Sequence, residues 1–276
     1  MTTPVTVEVD DGVAVLTLNR PDKRNAYTAE MGELLSRAYR ECDHDDAIRV
    51  IIVTGAGSAF CAGADFSGAT SPFDAPAGEF TASPIDPPAF ELRTPVIAAV
   101  NGHAVGIGLT IALQADIRVM ALEAKYGVVQ ARRGVIGDCM SHWTLPHLVG
   151  TSVAAELLLT GRTFDGADAA VMGIASYSVA AEEVLMLARN IAHDIAVNVA
   201  PVSAALSKRL LWDTVTRGYP ARQVADLETR AHLQIMGGAD ATEGVAAYLA
   251  RRTPRWTGLV SQKLGRRDDD QSEQSC

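Results

Sequence analysis

Short runs of β-branched residues alternate with turns and helical segments along the first part of this chain. Residues 5–9 and 13–18 are two such runs, separated by Asp10-Asp11-Gly12, a pattern typical of a β-hairpin. Residues 50–54 and 96–100 are apolar almost throughout, as are strands that are buried on both faces of a parallel sheet. We therefore expect an α/β fold built in layers from βαβ-type units.

Helical segments separate and follow these strands. Thr28 is a suitable N-cap for a helix that reaches about Cys42, and residues 106–114 are expected to form a helix behind the strand at 96–100. Residues 116–120 and 125–128 are expected to be extended. Beyond residue 163 the pattern becomes helical, with helices expected at residues 166–172, 182–197, 201–216, 224–236 and 241–251.

These patterns divide the chain into three parts. We expect an α/β core over residues 1–200, a helical region over residues 201–265 and a frayed polar tail over residues 266–276. Within the core, residues 67–88 are rich in Ser, Thr, Gly, Ala and Pro. A segment of this length and composition is usually a lid or a disordered loop.

The composition excludes several classes of protein. The chain has 24 Lys and Arg against 33 Asp and Glu, so its net charge is −9, and general attraction to nucleic acid or to an anionic membrane is not expected. The four cysteines are far apart, which predicts neither a zinc site nor a disulfide framework. Because the N-terminus lacks the basic and apolar segments of a secretory signal, we expect a cytoplasmic protein.

Two glycine-rich segments follow predicted strands and are candidates for a binding site. Residues 60–66, Phe-Cys-Ala-Gly-Ala-Asp-Phe, have small side chains that let backbone N–H groups approach a ligand. Residues 101–108, Asn-Gly-His-Ala-Val-Gly-Ile-Gly, open a helix, where free N–H groups carry partial positive charge suited to an oxyanion. The second segment lacks the spacing of a dinucleotide-binding fingerprint.

Together with further blocks, these segments resemble the crotonase (enoyl-CoA hydratase/isomerase) superfamily over about residues 5–256. The resemblance implies an α/β fold with a spiral core of ββα turns and a C-terminal helical trimerisation region, so a homotrimer or a dimer of trimers is expected. It also implies an acyl-CoA thioester as substrate, with coenzyme A as part of that substrate, and we expect no metal or redox cofactor. The further blocks are residues 19–21, 25–26, 94–100, 116–118, 157–162, 243–244 and 252–254.

The same resemblance implies roles for individual residues. By match to the family pattern, the backbone N–H groups of Ala64 and Ile107 would hold the thioester oxygen and stabilise an enolate-like intermediate. Arg24 is a candidate contact for a phosphate of coenzyme A. The residues that would lie along the rest of the coenzyme A moiety are Asn25, Ala26, Ala62, Asp65 and Phe66.

The chain departs from the hydratases of this superfamily at two positions. Those enzymes carry one Glu where Thr110 stands and a second Glu where Gln130 stands. Addition of water to a C=C bond needs a base for the water and an acid for the α-carbon, and neither Thr nor a neutral amide titrates usefully. A conventional two-glutamate hydratase is therefore disfavoured.

A carboxylate occurs nearby at Asp138. The block at residues 136–146 resembles the Pro-Glu-x-Cys-Ser-Ser-x-x-x-Pro stretch of Δ3,Δ2-enoyl-CoA isomerases, in which the Glu moves a proton between C2 and C4 of the acyl chain. Asp138 stands at that position with a side chain one methylene shorter, and a single carboxylate suffices for a 1,3-proton shift. The alternative role for Asp138 is an N-cap of the following helix.

Several functions and residue roles stay open at this stage. We expect an enoyl-CoA isomerase or hydratase; the alternatives are a C–C hydrolase of a β-dicarbonyl, with His142 and Asp138 activating water, and an acyl-CoA-binding protein without chemistry. His142 is a candidate auxiliary base, although packing or capping is the commoner role for a histidine in a helix. Structural roles are favoured for the remaining candidates, His103, Arg132, Arg133, Cys61, Cys139 and Trp143.

Overall fold

The computed structural model describes residues 3–67 and 80–264, and within them the chain forms two sheets covered by helices. The longer sheet has the strand order β1-β2-β3-β5-β7-β9, and the shorter sheet has the order β4-β6-β8. The strands are Val5–Asp10 (β1), Val13–Leu18 (β2), Val50–Gly55 (β3), Ala59–Cys61 (β4), Val96–Val100 (β5), His103–Val105 (β6), Ile117–Ala121 (β7), Tyr126–Gly127 (β8) and Tyr177–Val179 (β9).

The hairpin and the parallel sheet that the apolar runs predict are both present. β1 and β2 pair in antiparallel register, with Val5 opposite Leu18 and Asp10 opposite Val13. All the other pairings in the two sheets are parallel. β3 and β5 are buried at every residue, which explains why their sequences are so uniformly apolar. The expected layered α/β fold is therefore confirmed.

A repeated strand–strand unit generates both sheets. β3, β5 and β7 each lie in the longer sheet, and the chain then turns to add β4, β6 and β8 to the shorter one. Successive units stack side by side, so that Ala59 pairs with His103 and Ala104 pairs with Tyr126. Because β4, β6 and β8 are parallel neighbours, their carboxyl ends open at the same edge of the shorter sheet.

Helices cover the sheets and form the C-terminal part of the chain. The side chain of Thr28 accepts a hydrogen bond from the Met31 N–H at 3.2 Å, as expected of an N-cap. The five helices expected from residue 166 onward are present, and their ends lie within three residues of the expected ones. The helices are Ala29–His44 (α1), Ile107–Ala112 (α2), Ser141–Thr160 (α3), Gly166–Met172 (α4), Val184–Asn198 (α5), Pro201–Arg217 (α6), Ala221–Ile235 (α7) and Ala239–Ala250 (α8).

The main core lies between the longer sheet and the helices that pack on it. α5 contacts β3, β5 and β7, and α1 contacts the hairpin. Ala188, Ala192 and Ala196 of α5 are buried and spaced by four residues, so they form one face of small side chains against the sheet. Because α5 lies close to the sheet, the apolar residues of β3 and β5 are buried from water.

Three short strands are not apparent from the sequence. Residues 60–66 are predicted only as a turn and residues 101–108 as a turn that opens a helix. In the structure, β4 includes the first two residues of the former segment and β6 includes three residues of the latter. β9 also lies in a part of the chain predicted to be helical or irregular. Strands of three residues carry little propensity of their own and depend on pairing with their neighbours, so local composition does not reveal them.

A buried ion pair ties α6 to the core. The Lys208 Nζ lies 2.7 Å from a carboxylate oxygen of Asp116 and donates at 2.8 Å to the carbonyls of Ala89 and Thr94. The indole N–H of Trp212 donates to the other oxygen of Asp116 at 2.7 Å. These contacts anchor the start of the helical C-terminal region against the end of the longer sheet.

Some expectations fall on residues that the structure does not describe. The polar tail at 266–276 lies outside the described residues, as do residues 68–79 of the glycine- and proline-rich segment. Within residues 3–67 and 80–264, no helix combines the length and the apolar character that crossing a membrane requires.

We predict that Lys208→Met strongly destabilises the fold. Removal of the ammonium group leaves the half-buried Asp116 carboxylate without its charged partner, and loss of such a partner typically costs about 3–5 kcal/mol of stability. The free energy of unfolding of Lys208→Met, measured by urea titration, should therefore be lower than that of the parent by about 3–5 kcal/mol. The control Lys23→Met alters an exposed lysine and should leave the free energy of unfolding nearly unchanged. Equal stabilities of the two variants would contradict this account of the anchor.

Candidate active site

Three turns meet at the edge where β4, β6 and β8 end. The turn after β4 carries Ala64, the turn after β6 carries Ile107, and the turn after β8 leads to Gln130. In parallel sheets, ligands bind outside the carboxyl ends of the strands, where neighbouring turns lie close together. This edge is therefore the candidate active site.

A glycine with positive φ precedes each of the two predicted backbone donors. Gly63 has φ 103° and precedes Ala64, and Gly106 has φ 59° and precedes Ile107. The two glycines are close neighbours, since a Cβ on Gly106 would lie 3.9 Å from the Cα of Gly63. Among the described residues, no protein acceptor receives a hydrogen bond from the N–H of Ala64 or of Ile107. Both N–H groups are thus free to bind a ligand.

The Asp138 carboxylate faces this edge rather than the end of a helix. The Thr110 hydroxyl donates a hydrogen bond to Oδ1 of Asp138 at 2.5 Å, and Thr110 lies on α2 one turn after Ile107. The N-cap position of α3 is Met140, and no side chain caps that helix. The interpretation of Asp138 as an N-cap is therefore wrong, because its side chain binds α2 instead.

Burial raises the pKa of the Asp138 carboxyl above its ordinary value. The hydrogen bond from Thr110 opposes this shift, as do the nearby Gln130 amide and, more weakly, His142. A raised pKa makes the carboxylate a stronger base and makes its protonated form easier to reach. Asp138 accordingly takes up a proton more readily than an exposed aspartate.

Gln130 contributes an amide to the same edge. Its side chain is buried, with 8% of its surface exposed, and neither Oε1 nor Nε2 meets a hydrogen-bond partner at normal geometry. A Cβ on Gly106 would lie 3.8 Å from Nε2 of Gln130, so the amide packs on the start of α2. The amide also lies close enough to Asp138 to lower the pKa of that carboxyl, although it forms no hydrogen bond of normal geometry with it.

The predicted coenzyme A contacts come from two segments that the structure joins in a short parallel ladder. The N–H of Ala62 donates to the Arg24 carbonyl at 3.0 Å, and the N–H of Tyr27 donates to the Gly63 carbonyl at 2.8 Å. The N–H of Asp65 then donates to the Tyr27 carbonyl at 2.9 Å. This ladder brings residues 24–27 alongside residues 62–65, and Ala26 and Ala62 are both half-buried within it.

The Asn25 side chain has a structural role in this region. Its amide is fully buried and donates to the carbonyls of Ala56 and Ala59 at 2.9 and 2.7 Å, while its oxygen accepts from the Arg20 N–H at 2.8 Å. The side chain therefore holds the turn between β3 and β4 and is not available to a ligand. Only the backbone of Asn25 remains a candidate for contact with coenzyme A.

Asp65 forms an ion pair next to the Ala64 donor. Its carboxylate lies 2.8 Å from the Arg20 guanidinium and accepts hydrogen bonds from the N–H and the hydroxyl of Ser67 at 2.9 and 2.6 Å. The Ser67 contacts, followed by Arg20, hold the pKa of the Asp65 carboxyl well below its usual range. The side chains of Arg24 and Phe66 are exposed beside this group.

The remaining candidate side chains divide into neighbours of Asp138 and structural groups. His142 is exposed, and its Cε1 would lie 3.2 Å from a Cβ on Gly137, which places it next to Asp138. His103 is also exposed, and its Nδ1 accepts the Lys125 N–H at 2.8 Å. Trp143 packs with Phe90 and Trp212, at ring-centroid distances of 5.0 and 5.8 Å.

Cys61 and Cys139 are buried, and burial raises the pKa of their thiols to about 11 and about 12. Thiols of this kind are not nucleophilic at neutral pH, so a packing role fits both residues. Arg132 lies away from them and donates to the Thr160 carbonyl at 2.7 Å.

An apolar cavity of about 280 Å³ lies beside His142. His142 is the titratable residue in its wall. The other lining residues are Val128, Ala131, Ile136, Gly137, Ala155, Leu158 and Leu159.

Two features of the site are not visible in the sequence. One is the Thr110–Asp138 hydrogen bond, which joins residues 28 positions apart. The other is the position of Tyr27, whose hydroxyl is buried without a partner against Gly32 and whose pKa is raised, chiefly by burial. The charge of Asp138 contributes to that shift. The resemblance to the family identifies Thr110 only as a position where the hydratases carry a glutamate.

A family model and known relatives match most of the chain. A model of the enoyl-CoA hydratase/isomerase family matches residues 8–259. The chain is 34% identical to the 1,2-epoxyphenylacetyl-CoA isomerase of Escherichia coli, over 91% of this chain and 97% of that protein. It is 33% identical to a probable enoyl-CoA hydratase of Mycobacterium tuberculosis, over 92% of this chain and 97% of that protein.

Solved structures give the same result. A probable enoyl-CoA hydratase/isomerase from Mycobacterium abscessus is 55% identical, with a TM-score of 0.90 over 94% of this chain and all of that chain. An enoyl-CoA hydratase from Mycobacterium tuberculosis is 28% identical, with a TM-score of 0.84 over 94% of this chain and all of that chain. The chain belongs to the enoyl-CoA hydratase/isomerase family, and it is an acyl-CoA enzyme with the crotonase fold.

We predict that Asp138→Asn stabilises the protein at neutral pH. The folded-state pKa of Asp138 is raised, so its contribution to stability is greatest below its unfolded-state pKa and is lost as the pH rises through the folded-state value. The melting temperatures of Asp138→Asn and of the parent should therefore converge in acid. At pH 7.5 the melting temperature of Asp138→Asn should be the higher of the two. If the melting temperature of Asp138→Asn is lower than that of the parent by the same amount at every pH, burial does not destabilise the charged carboxylate.

Proposed function

We propose that this enzyme isomerises the double bond of a 3-enoyl-CoA to give a 2-enoyl-CoA, with Asp138 as the proton carrier. The observation that carries the proposal is the Asp138 carboxylate, which Thr110 holds one helical turn from the free N–H of Ile107. The 1,2-epoxyphenylacetyl-CoA isomerase among its relatives supports isomerase chemistry on an acyl-CoA.

The N–H groups of Ala64 and Ile107 are proposed to bind the thioester oxygen. Removal of a proton from C2 moves negative charge onto that oxygen, and a donor aimed at it contributes about 3 kcal/mol to the stabilisation of such a charge. The two N–H groups are free of protein acceptors among the described residues, and the turns that carry them are in contact. Both observations support an oxyanion hole at this edge.

The proton shift then takes two steps on one carboxylate. Asp138 removes a proton from C2, and the electron pair of that C–H bond forms the C1–C2 double bond of a dienolate whose charge lies on the thioester oxygen. The protonated Asp138 next gives the same proton to C4, and the electron pair of the C3–C4 double bond forms the new C4–H bond. The C1–C2 pair then becomes the C2–C3 double bond, and the charge on oxygen restores the thioester carbonyl. No other acid or base is required, and the carboxylate is regenerated.

The residues at the two glutamate positions of the hydratases support isomerisation over hydration. Thr110 and Gln130 are neutral at every accessible pH, so neither can activate water. Water addition would need Asp138 to serve both as the base for water and as the acid for the α-carbon, or would need His142 as a second group. The exposed position of His142 beside Asp138 also keeps the hydrolysis of a β-dicarbonyl as the second candidate activity.

The coenzyme A portion of the substrate is proposed to lie along the ladder formed by residues 24–27 and 62–65. The exposed Arg24 supplies a positive charge for a phosphate, and Phe66 offers an exposed aromatic surface. We propose further that no cofactor besides this coenzyme A portion is needed and that the enzyme acts in the cytoplasm. Activity that survives exhaustive treatment with a chelator would support the first of these points.

We predict that Asp138→Ala reduces the isomerisation of 3-enoyl-CoA by roughly 10²- to 10⁴-fold, because it removes the only proton carrier. Turnover is followed by the absorbance of the conjugated 2-enoyl thioester, and affinity for coenzyme A should be retained. His142→Ala is the matched control and should keep most of the activity.

The outcomes separate the candidate functions. Loss of turnover in Asp138→Ala alone supports the isomerase. Loss of β-dicarbonyl cleavage in both variants, without isomerase activity in the parent, would support the hydrolase. Tight acyl-CoA binding with no turnover in any variant would support a binding protein and contradict the proposal.

We propose that the enzyme assembles as a homotrimer through its C-terminal helices. α7 has no buried residue in the single chain, and large apolar side chains stand exposed on the C-terminal helices and between them. Exposed apolar groups at this density usually mark an interface between subunits. Those at least 61% exposed are Leu211, Leu233, Met236, Val245, Tyr248 and Leu249.

We predict a mass of three times 29.2 kDa, or six times for paired trimers, by light scattering. The substitution Leu233→Glu should shift the population to smaller species, because it places a charge in the interface. Its control is Glu228→Gln on the same helix, which should leave the mass unchanged. A parent protein that elutes as a monomer at micromolar concentration would contradict the proposed assembly.

A further inference from the structure

Gln130 is a buried amide with no protein partner at either end. It lies in the turn after β8, and both its Oε1 and its Nε2 are shielded from solvent. Buried polar groups are nearly always hydrogen-bonded, and an unpaired one is costly, so a retained one points to a partner that arrives during function. The question is which group at this edge that partner is.

The packing on α2 identifies the neighbouring group. The Gln130 amide lies against Gly106 at the start of α2, and Asp138 is bound to Thr110 four residues later. Gly106 is the N-cap of α2 and Thr110 lies in its first turn, so the amide and the carboxylate both lie at the start of this helix. Of the protein groups near the Gln130 amide, Asp138 is the charged acceptor.

We propose that Gln130 is a positioning residue for Asp138: its amide N–H donates a hydrogen bond to the carboxylate when an acyl chain is bound, opposite the hydrogen bond from Thr110. This inference rests on the proposed function, since it concerns the same proton carrier. Hydrogen bonds of catalytic groups are often long in a free enzyme and shorten in the substrate complex. The Gln130 amide also lowers the pKa of the Asp138 carboxyl, which supports a contact between the two side chains.

Two neutral donors suit a carboxylate that must both remove and return a proton. They fix the plane of the carboxylate relative to C2 and C4, and their effect on its basicity is modest compared with that of an adjacent lysine or arginine. An orientation error of about 1 Å can cost roughly a hundredfold in rate, which is why a second donor matters for the short side chain of an aspartate. The other titratable groups around Asp138 are Tyr27, Cys61, Cys139 and His142.

The first test compares Gln130→Met and Gln130→Glu with the parent in the turnover of a 3-enoyl-CoA across the pH range. Loss of a donor to the carboxylate should lower kcat roughly tenfold in Gln130→Met and move the acidic limb of the kcat profile up by roughly one pH unit. Gln130→Glu should move that limb further, because a second carboxylate opposes the ionisation of the first. KM should change little in Gln130→Met.

The second test does not depend on turnover. The carboxyl stretching band of Asp138 is isolated by infrared difference spectroscopy, with Asp138→Asn as the reference and saturating butanoyl-CoA as the bound thioester. Its titration should shift upward in Gln130→Met. Because Gln130→Met removes an unpaired polar group, its melting temperature should be no lower than that of the parent, which excludes misfolding as the cause.

The inference is overturned if the band titrates at the same pH in Gln130→Met and in the parent, or if the loss of activity lies in KM with the acidic limb unmoved. Failure of the proposed function is a different result. If Asp138→Asn leaves isomerisation intact, Asp138 is not the proton carrier, and the infrared titration still decides whether Gln130 contacts it.

Discussion

The parallel pairing of β4, β6 and β8 is the constraint on which the site depends. The register of Ala59 with His103 and of Ala104 with Tyr126 sets three consecutive strand ends side by side. Each strand is too short to persist alone, so the site forms only when the whole stack of units is in place. The pairing thereby sets the positions of the backbone N–H groups of Ala64 and Ile107.

The electrostatics of this edge suit a single carboxylate that carries a proton better than two groups that act separately as acid and base. In an enzyme with two carboxylates, each can keep a separate protonation state and separate work as acid or base. Here the described edge offers Asp138 with neutral neighbours, Thr110 and Gln130, and burial raises its pKa. Such a group suits the proposed 1,3-shift, in which one carboxylate both removes and returns the proton.

The sequence predicts the scaffold better than the site. The hairpin, β3, β5 and the C-terminal helices follow from patterns of apolar residues that burial enforces. β4 and β6 escape such reasoning because tertiary pairing stabilises them and local propensity does not. Ala64 and Ile107 emerge through resemblance to a family, since a backbone donor leaves no side-chain signature. The hydrogen bond between Thr110 and Asp138 depends on how two distant segments pack, which composition and spacing do not encode.

A crystal structure of the enzyme with bound butanoyl-CoA tests the central claim most directly, because it locates the thioester relative to the two backbone donors and the carboxylate. The account requires the thioester oxygen within about 2.7–3.1 Å of the nitrogens of both Ala64 and Ile107. It also requires an Asp138 oxygen within about 3.5 Å of C2 and within reach of C4 after rotation of the chain. A thioester oxygen that contacts neither N–H group, or an acyl chain that runs away from Asp138, would contradict it.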